Sequence, residues 1–234
     1  MRLDKYLAHM GMGTRTEVKQ HIKKGRVTVN GVQIKAAQTK IDVEHDDVVC
    51  DGRAIAYVKH VYLMLNKPQG VITATHDAQH RTVLDLIDDY TFLDLFPVGR
   101  LDKDTEGLLF ITNDGNFNHH LMSPQHHVKK VYEVTCKAPI TEQNVMDFKQ
   151  GVMLSDGITK PAQLTYIDAA HAHVTLYEGR YHQVKRMFHA IENEVLHLKR
   201  IQIGDVPLDA QLSEGEYREL TEAELSRLNV QSKA

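Results

Sequence analysis

The 234 residues are 42% hydrophobic and 25% charged, with 2 cysteines and a formal net charge of −3, a composition that suits a small and a medium soluble domain. Cys50 and Cys136 stand far apart and in no C-x-x-C pair, which excludes a disulfide scaffold and points to a reducing compartment. The N-terminal MRLDKYLAHMG has no apolar stretch of signal-peptide length, and runs such as Leu108–Ile111 are far too short to span a bilayer, so a soluble cytoplasmic protein with no membrane partner is expected.

Charge is distributed unevenly. Residues 1–40 hold nine basic and two acidic side chains, a net of +7, and the other 194 residues net −10. Such asymmetry suggests a basic nucleic-acid module joined to a different kind of domain. In chain order, Leu3, Leu7 and Met10 recur at helical spacing, and Gly11-Met12-Gly13 ends that helix. Thr14 and Glu17 then fit a capping box that opens a second helix, with Val18 and Ile22 as its apolar stripe and Gly25 as its stop. Val27–Val29 and Val32–Ile34 alternate as strands around Asn30-Gly31, a type I′ hairpin signal. On the second helix Arg15, Lys19 and Lys23 fall at i, i+4 and i+8 on one face, with Lys24 and Arg26 beside them. Stacked cations of this kind are either a solvated face or a surface that follows phosphates.

Residues 51–60 are mixed and lead into an apolar strand, Val61–Leu65, which places a boundary between residues 1–58 and 59–234. That strand ends in the turn Asn66–Gly70. Leu108–Thr112, Val131–Cys136, Gln163–Ile167, His173–Tyr177 and Val195–Ile203 also read as strands, the first closed by Asn113-Asp114-Gly115, and Asp156-Gly157 as a hairpin tip. Helical patterns fall at Thr82–Ile87, Asn116–Met122, Thr141–Lys149, Gln183–Ile191 and Glu222–Leu228, the last behind a second capping box, Thr221 with Glu224. Strands with interspersed helices but no regular βαβ alternation predict an α+β class. The expected layout is a small helix-and-hairpin domain, then a domain with a mostly antiparallel mixed sheet flanked by helices.

The stretch with most chemistry is Gly99–Leu109, a charged, glycine-bounded loop running straight into a buried strand. Asp102-x-Asp104-x-Glu106-Gly107 imitates the start of a calcium loop. Position 12 is Asn113 rather than a bidentate Glu, position 9 is Phe110, and a strand follows where a helix belongs, so calcium is rejected. The 15 histidines include two adjacent pairs, His119-His120 and His126-His127, but no HExxH spacing and no pairing with a nearby cysteine, so no metal site is expected.

Residues 1–50 resemble an S4 RNA-binding domain. Arg2–Ala8, the run from Thr14 to Gly31 and the acidic close around Val43–Val49 carry the resemblance. It implies docking on structured RNA through shape and phosphates, with Arg2, Arg15, Lys19, Lys23, Lys24 and Arg26 as contacts. Gly99–Leu109 resembles the GRLDxxTxGLL motif of pseudouridine synthases, in which the Asp is catalytic; here it is Asp102. Lys67-Pro68-x-Gly70, Lys130-Val131-Tyr132 and Glu178–Met187 resemble the family's other motifs, so the likeness spans essentially the whole chain and is nearest the RsuA family.

The resemblance implies that Tyr132 stacks on the target uracil, that Lys185 or Arg186 is the cation beside Asp102, and that Arg100 fills the space a flipped base leaves. Lys67, Lys130, Arg180, His182 and Arg186 would contact substrate, with Val184 or Leu108 lining the pocket. The implied substrate is 16S ribosomal RNA, at uridine 516, as naked RNA or in an assembling small subunit. A monomer working without a guide RNA is expected. Isomerising uridine breaks a C–N bond and makes a C–C bond to the same sugar, so nothing is oxidised and no cofactor is expected. The carboxylate either attacks C1′ or removes a sugar proton. A 23S target and a non-catalytic S4-bearing assembly factor are the alternatives.

Overall fold

In a computed structural model that describes residues 1–228, contacts divide the chain into Met1–Val61 with Asp88–Leu95, and Tyr62–Ile87 with the chain from Phe96 onward. The last positions of the 59–234 domain, 229–234, lie outside the described residues.

In the first unit, α1 (Leu3–His9) and α2 (Arg15–Lys23) precede β1 (Val27–Val29), β2 (Val32–Gln33), β3 (Val48–Cys50) and β4 (Arg53–Ala54). Helix α2 begins where the sequence predicts. The Thr14 hydroxyl accepts from the Glu17 N–H, and the Glu17 carboxylate accepts from the Thr14 N–H at 2.7 Å. The strands form an antiparallel sheet in the order β2-β1-β3-β4. Leu3, Tyr6, Leu7, Val18, Ile22, Val27 and Val48 are buried together between helices and sheet, each contributing about 1.5–3 kcal/mol by leaving water. Arg15, Lys19, Lys23, Lys24 and Arg26 are left exposed.

The sequence-based boundary assigns Asp88–Leu95 to the larger domain, but its contacts fall with the first unit. Phe92 lies so close over Gly11 that a Cβ there would come within 2.5 Å of the Phe92 Cβ.

The second unit contains β5 (Tyr62–Lys67), β6 (Phe96–Val98), β7 (Glu106–Thr112), α3 (Gly115–Met122), β8 (Lys130–Cys136), α4 (Glu142–Gln150), β9 (Met153–Leu154), β10 (Gly157–Ile158), β11 (Gln163–Tyr166), β12 (His171–Leu176), α5 (Gln183–Ala190), β13 (Val195–Ile203), β14 (Val206–Pro207), β15 (Tyr217–Glu219) and α6 (Glu222–Arg227). Its main sheet runs β11-β12-β8-β13-β7-β5-β15. Among the described strands of that sheet, β7 and β13 form the one parallel pair. Helices α4 and α5 cover one core around Phe148, Val174, Met187 and Phe188. Helices α3 and α6 cover a second around Phe110, Phe117, Ile203 and Leu225. No described helix is long and apolar enough to cross a membrane.

Three local expectations change. Thr82–Ile87 is not a helix: only Leu84–Leu86 makes a single 3₁₀ turn. Thr82 bridges Ile72 in a parallel sense, and the Asp85 carboxylate takes the Thr82 N–H at 2.7 Å, so tertiary pairing holds the segment open. Asp114 does more than close a strand, because its carboxylate accepts from the Asn116 N–H and caps α3. Strand β5 runs on to Lys67, which makes that lysine part of the sheet and not of the following turn.

Candidate active site

The loop Gly99–Thr105 is fixed from several sides before its charged side chains are considered. The Thr73 hydroxyl donates to the Leu101 carbonyl at 2.7 Å and accepts from the Leu101 N–H at 3.1 Å. The Gly70 N–H donates to the Lys103 carbonyl at 2.8 Å, and the Thr105 N–H closes a turn onto the Asp102 carbonyl. Beneath the loop, the fully buried Lys67 ammonium donates to the carbonyls of Asp102 (3.0 Å), Thr105 (2.8 Å) and Pro68 (3.1 Å). Burial pushes this ammonium down to about 8, opposed by the nearby carboxylates of Asp104, Asp102 and Glu106. Lys67 is thus a loop anchor and not the substrate contact expected of it: its donors are spent on backbone.

Gly107 follows the loop with φ +99, and a Cβ there would lie 2.2 Å from the Arg200 carbonyl. Only glycine lets β7 come this near β13, where Arg200 pairs with Gly107. The pairing brings the loop beside Tyr132, which faces Arg200 across β8 and β13.

Asp102 stands in a cleft that Arg100, Tyr132, Leu176, His182 and Val184 also line. Its carboxylate is flanked on both sides. Lys185 Nζ donates to Oδ2 at 3.1 Å, and His182 Nε2 lies 3.2 Å from Oδ1. The Asp102 side chain keeps 26% of its surface exposed, so a substrate entering the cleft can still reach it. Lys185 also holds Asp104 Oδ1 at 2.5 Å, and this hydrogen bond keeps the Asp104 carboxyl below its ordinary value. Between the two cations the motif left open, the fold puts Lys185 on Asp102 and turns Arg186 away. Arg186 pairs with Asp156 and donates to the Tyr181 carbonyl at 3.1 Å.

Two further expected substrate contacts, Arg180 and Lys130, have other work. Arg180 lines the cleft, but its guanidinium donates to the Gly157 and Ile158 carbonyls at 3.0 and 2.6 Å. Lys130 is buried, donates to the Val128 carbonyl at 3.2 Å, and is pushed down to about 8 by burial and by Arg200. Leu108 lies in the core around Phe110, while Val184 lines the cleft. Arg100 is exposed at the cleft wall. In the first unit Arg2 forms a double hydrogen bond with Asp4, which lowers the Asp4 carboxyl.

Two features were not legible beforehand. His182 touches Asp102 instead of only facing substrate, because its backbone takes the left-handed conformation (φ 47, ψ 36) at the start of α5. The fold also brings His21, Cys50 and Asp51 together, with one ligand-type atom from each within 4.8 Å of the others. His21 and Cys50 are 29 residues apart, so no local spacing signals this pairing. The Asp51 carboxylate there already faces His21 at 3.3 Å and Arg26 at 3.7 Å, and burial pushes the Cys50 thiol up.

Similarity to known proteins identifies the class. Residues 61–190 match the RNA pseudouridylate synthase family, and residues 1–48 match the S4 domain. The chain belongs to the RNA pseudouridylate synthase family, in its RsuA-like branch with an N-terminal S4 domain. It is 46% identical to the Bacillus subtilis (strain 168) "Uncharacterized RNA pseudouridine synthase YtzG", with 98% of each chain covered. It is 44% identical to the Escherichia coli (strain K12) "Ribosomal small subunit pseudouridine synthase A", over 97% of this chain and 99% of that one. A crystal structure described as a pseudouridylate synthase superposes with a TM-score of 0.70 at 38% identity, covering 97% of this chain and 99% of that one.

Proposed function

We propose that this enzyme converts a uridine of small-subunit ribosomal RNA to pseudouridine, that the target is uridine 516 of 16S RNA, and that Asp102 is the catalytic group. The observation that carries the reading is the Asp102 carboxylate, held between Lys185 and His182 in a cleft that Tyr132 also lines. The small-subunit assignment is supported by the 44% identity to the Escherichia coli relative of that name.

A uridine within folded RNA reaches such a cleft only after leaving its stack. Arg100 at the wall is placed to follow the base out, and the Tyr132 ring offers a face for the extruded uracil. Asp102 then meets the ribose. A carboxylate can open the glycosidic bond as a nucleophile at C1′ or by taking a sugar proton. Lys185 supplies the positive charge that a carboxylate needs where substrate displaces water. The uracil turns and bonds through C5, the C5 proton departs, and N1, freed from the sugar, takes up a proton. Bonds and electrons balance within the nucleotide, so the isomerisation consumes no redox partner.

RNA docking is assigned to the exposed cations of α2, Arg15, Lys19 and Lys23, with Lys24 and Arg26. This is recognition by the protein itself, as a cytoplasmic monomer without a guide RNA. The test is carbodiimide mapping of pseudouridine along 16S RNA from cells lacking the gene, complemented with wild type or Asp102→Asn. Wild type restores a single modified position and Asp102→Asn leaves it unmodified. Restoration by Asp102→Asn would support a non-catalytic binder instead.

A further inference from the structure

The rim of the cleft carries a large aromatic side chain that the reaction above does not use. Tyr181 lies between the cleft-lining residues Arg180 and His182 and is 77% exposed. A lone exposed tyrosine is ordinary, but this one is held by contacts to its backbone, its neighbours and its ring. Arg186 Nη1 donates to its carbonyl at 3.1 Å. On one side of it the Arg180 guanidinium is tied to the Gly157 and Ile158 carbonyls. The Arg180 N–H is itself bound to Gln183 Oε1 at 2.9 Å. The Tyr181 ring stacks on the His182 imidazole, with centroids 3.8 Å apart and planes 18° apart. The same imidazole sits 3.2 Å from Asp102. With its inner face covered by His182 and most of the residue exposed, the outer face of the ring is open.

We propose that the outer face of Tyr181 is a stacking subsite for a nucleobase of the RNA strand flanking the target uridine. The claim rests on the RNA-substrate reading above and adds to it a recognition element outside the catalytic pocket. A flat ring already immobilised by stacking loses little further freedom when a base covers it, and every base has a face to offer. The subsite therefore contributes affinity without reading sequence. It also completes a stack of flanking base, Tyr181 and His182 that ends against the Asp102 carboxylate.

The chain contains no tryptophan, so Tyr181→Trp creates a sole indole at the proposed contact. In full-length protein that also carries Asp102→Asn, a 16S RNA transcript is titrated while binding is followed independently by filter retention. The proposal predicts that indole emission falls by about half or more, along the same saturation curve as retention. RNA retained with unchanged emission overturns the stacking subsite and leaves the substrate reading intact. No RNA retained overturns both. In steady state, with Asp102 restored, Tyr181→Ala should raise KM about tenfold, Tyr181→Phe should stay near wild type, and Tyr181→Leu should behave like Ala. A Leu variant equal to Phe would show that bulk alone matters and would also overturn the proposal.

Discussion

Single residues divide into those whose role follows from chemical type and those whose role follows from burial. Asp102 and Lys185 belong to the first group: a carboxylate in a glycine-bounded loop and a cation in a later motif suggest each other, and they meet at 3.1 Å. Lys67 belongs to the second. Its motif suggests a substrate contact, yet its position at the end of a buried strand places the ammonium under the Asp102 loop, on backbone carbonyls. Nothing in a Lys-Pro pair signals this, because the direction of Lys67 is set by β5 pairing with β7. Lys67→Met would fill the space while removing the ammonium's hydrogen bonds to those carbonyls, a cost on the order of 2 kcal/mol even after the relief of a buried charge. The expected result is a lower denaturant midpoint together with at least a tenfold loss in kcat/KM, since the loop that carries Asp102 loses its support. Wild-type kinetics in that variant would mean the loop is held by Thr73 and Gly70 alone.

Elements were legible where their determinants are local. The capping boxes at Thr14 and Thr221 mark the starts of α2 and α6 because both partners lie within one turn. The Thr82–Ile87 pattern misleads because Ile72, beyond the reach of a helical period, competes for the same backbone. Strands β6, β14 and β15 are too short to show a period and exist through pairing with β7, β13 and β5. The β7–β13 pair depends on one residue. Gly107→Ala would combine φ +99 with a Cβ 2.2 Å from a carbonyl oxygen, and should cost about 3 kcal/mol or more, read as a fall in urea midpoint. Helix α6 is fastened by Arg218, whose guanidinium holds Glu224 at 2.8 and 2.9 Å. That hydrogen bond lowers the Glu224 carboxyl to about 2 from 4.5. A carboxylate depressed on folding stabilises the native state fully above its unfolded value, and the contribution fades as pH falls toward the folded one. The stability difference between wild type and Glu224→Gln should thus be complete above about pH 5 and close between about pH 4.5 and pH 2. A difference that stays constant across that range would show that the ion pair is not its source.

At the scale of the whole molecule, the charge asymmetry and the composition change near residue 60 suggest two units, while the return of Asp88–Leu95 to the first is a long-range event that no local signal announces. The exposed basic face of α2 is the proposed docking surface for RNA. With Lys19→Glu and Lys23→Glu together, the slope of log affinity against log salt should flatten by roughly 1.5 if each lysine meets one phosphate. An unchanged slope would put the phosphate contacts elsewhere. The proposed catalysis depends on Asp102. The most direct measurement is pseudouridine formed in a 16S RNA transcript by purified wild-type and Asp102→Asn protein under single-turnover conditions, with RNA retention measured in parallel. Stoichiometric pseudouridine from wild type, none from Asp102→Asn and equal retention by both is the predicted result. Pseudouridine formation by Asp102→Asn at the wild-type rate would contradict it.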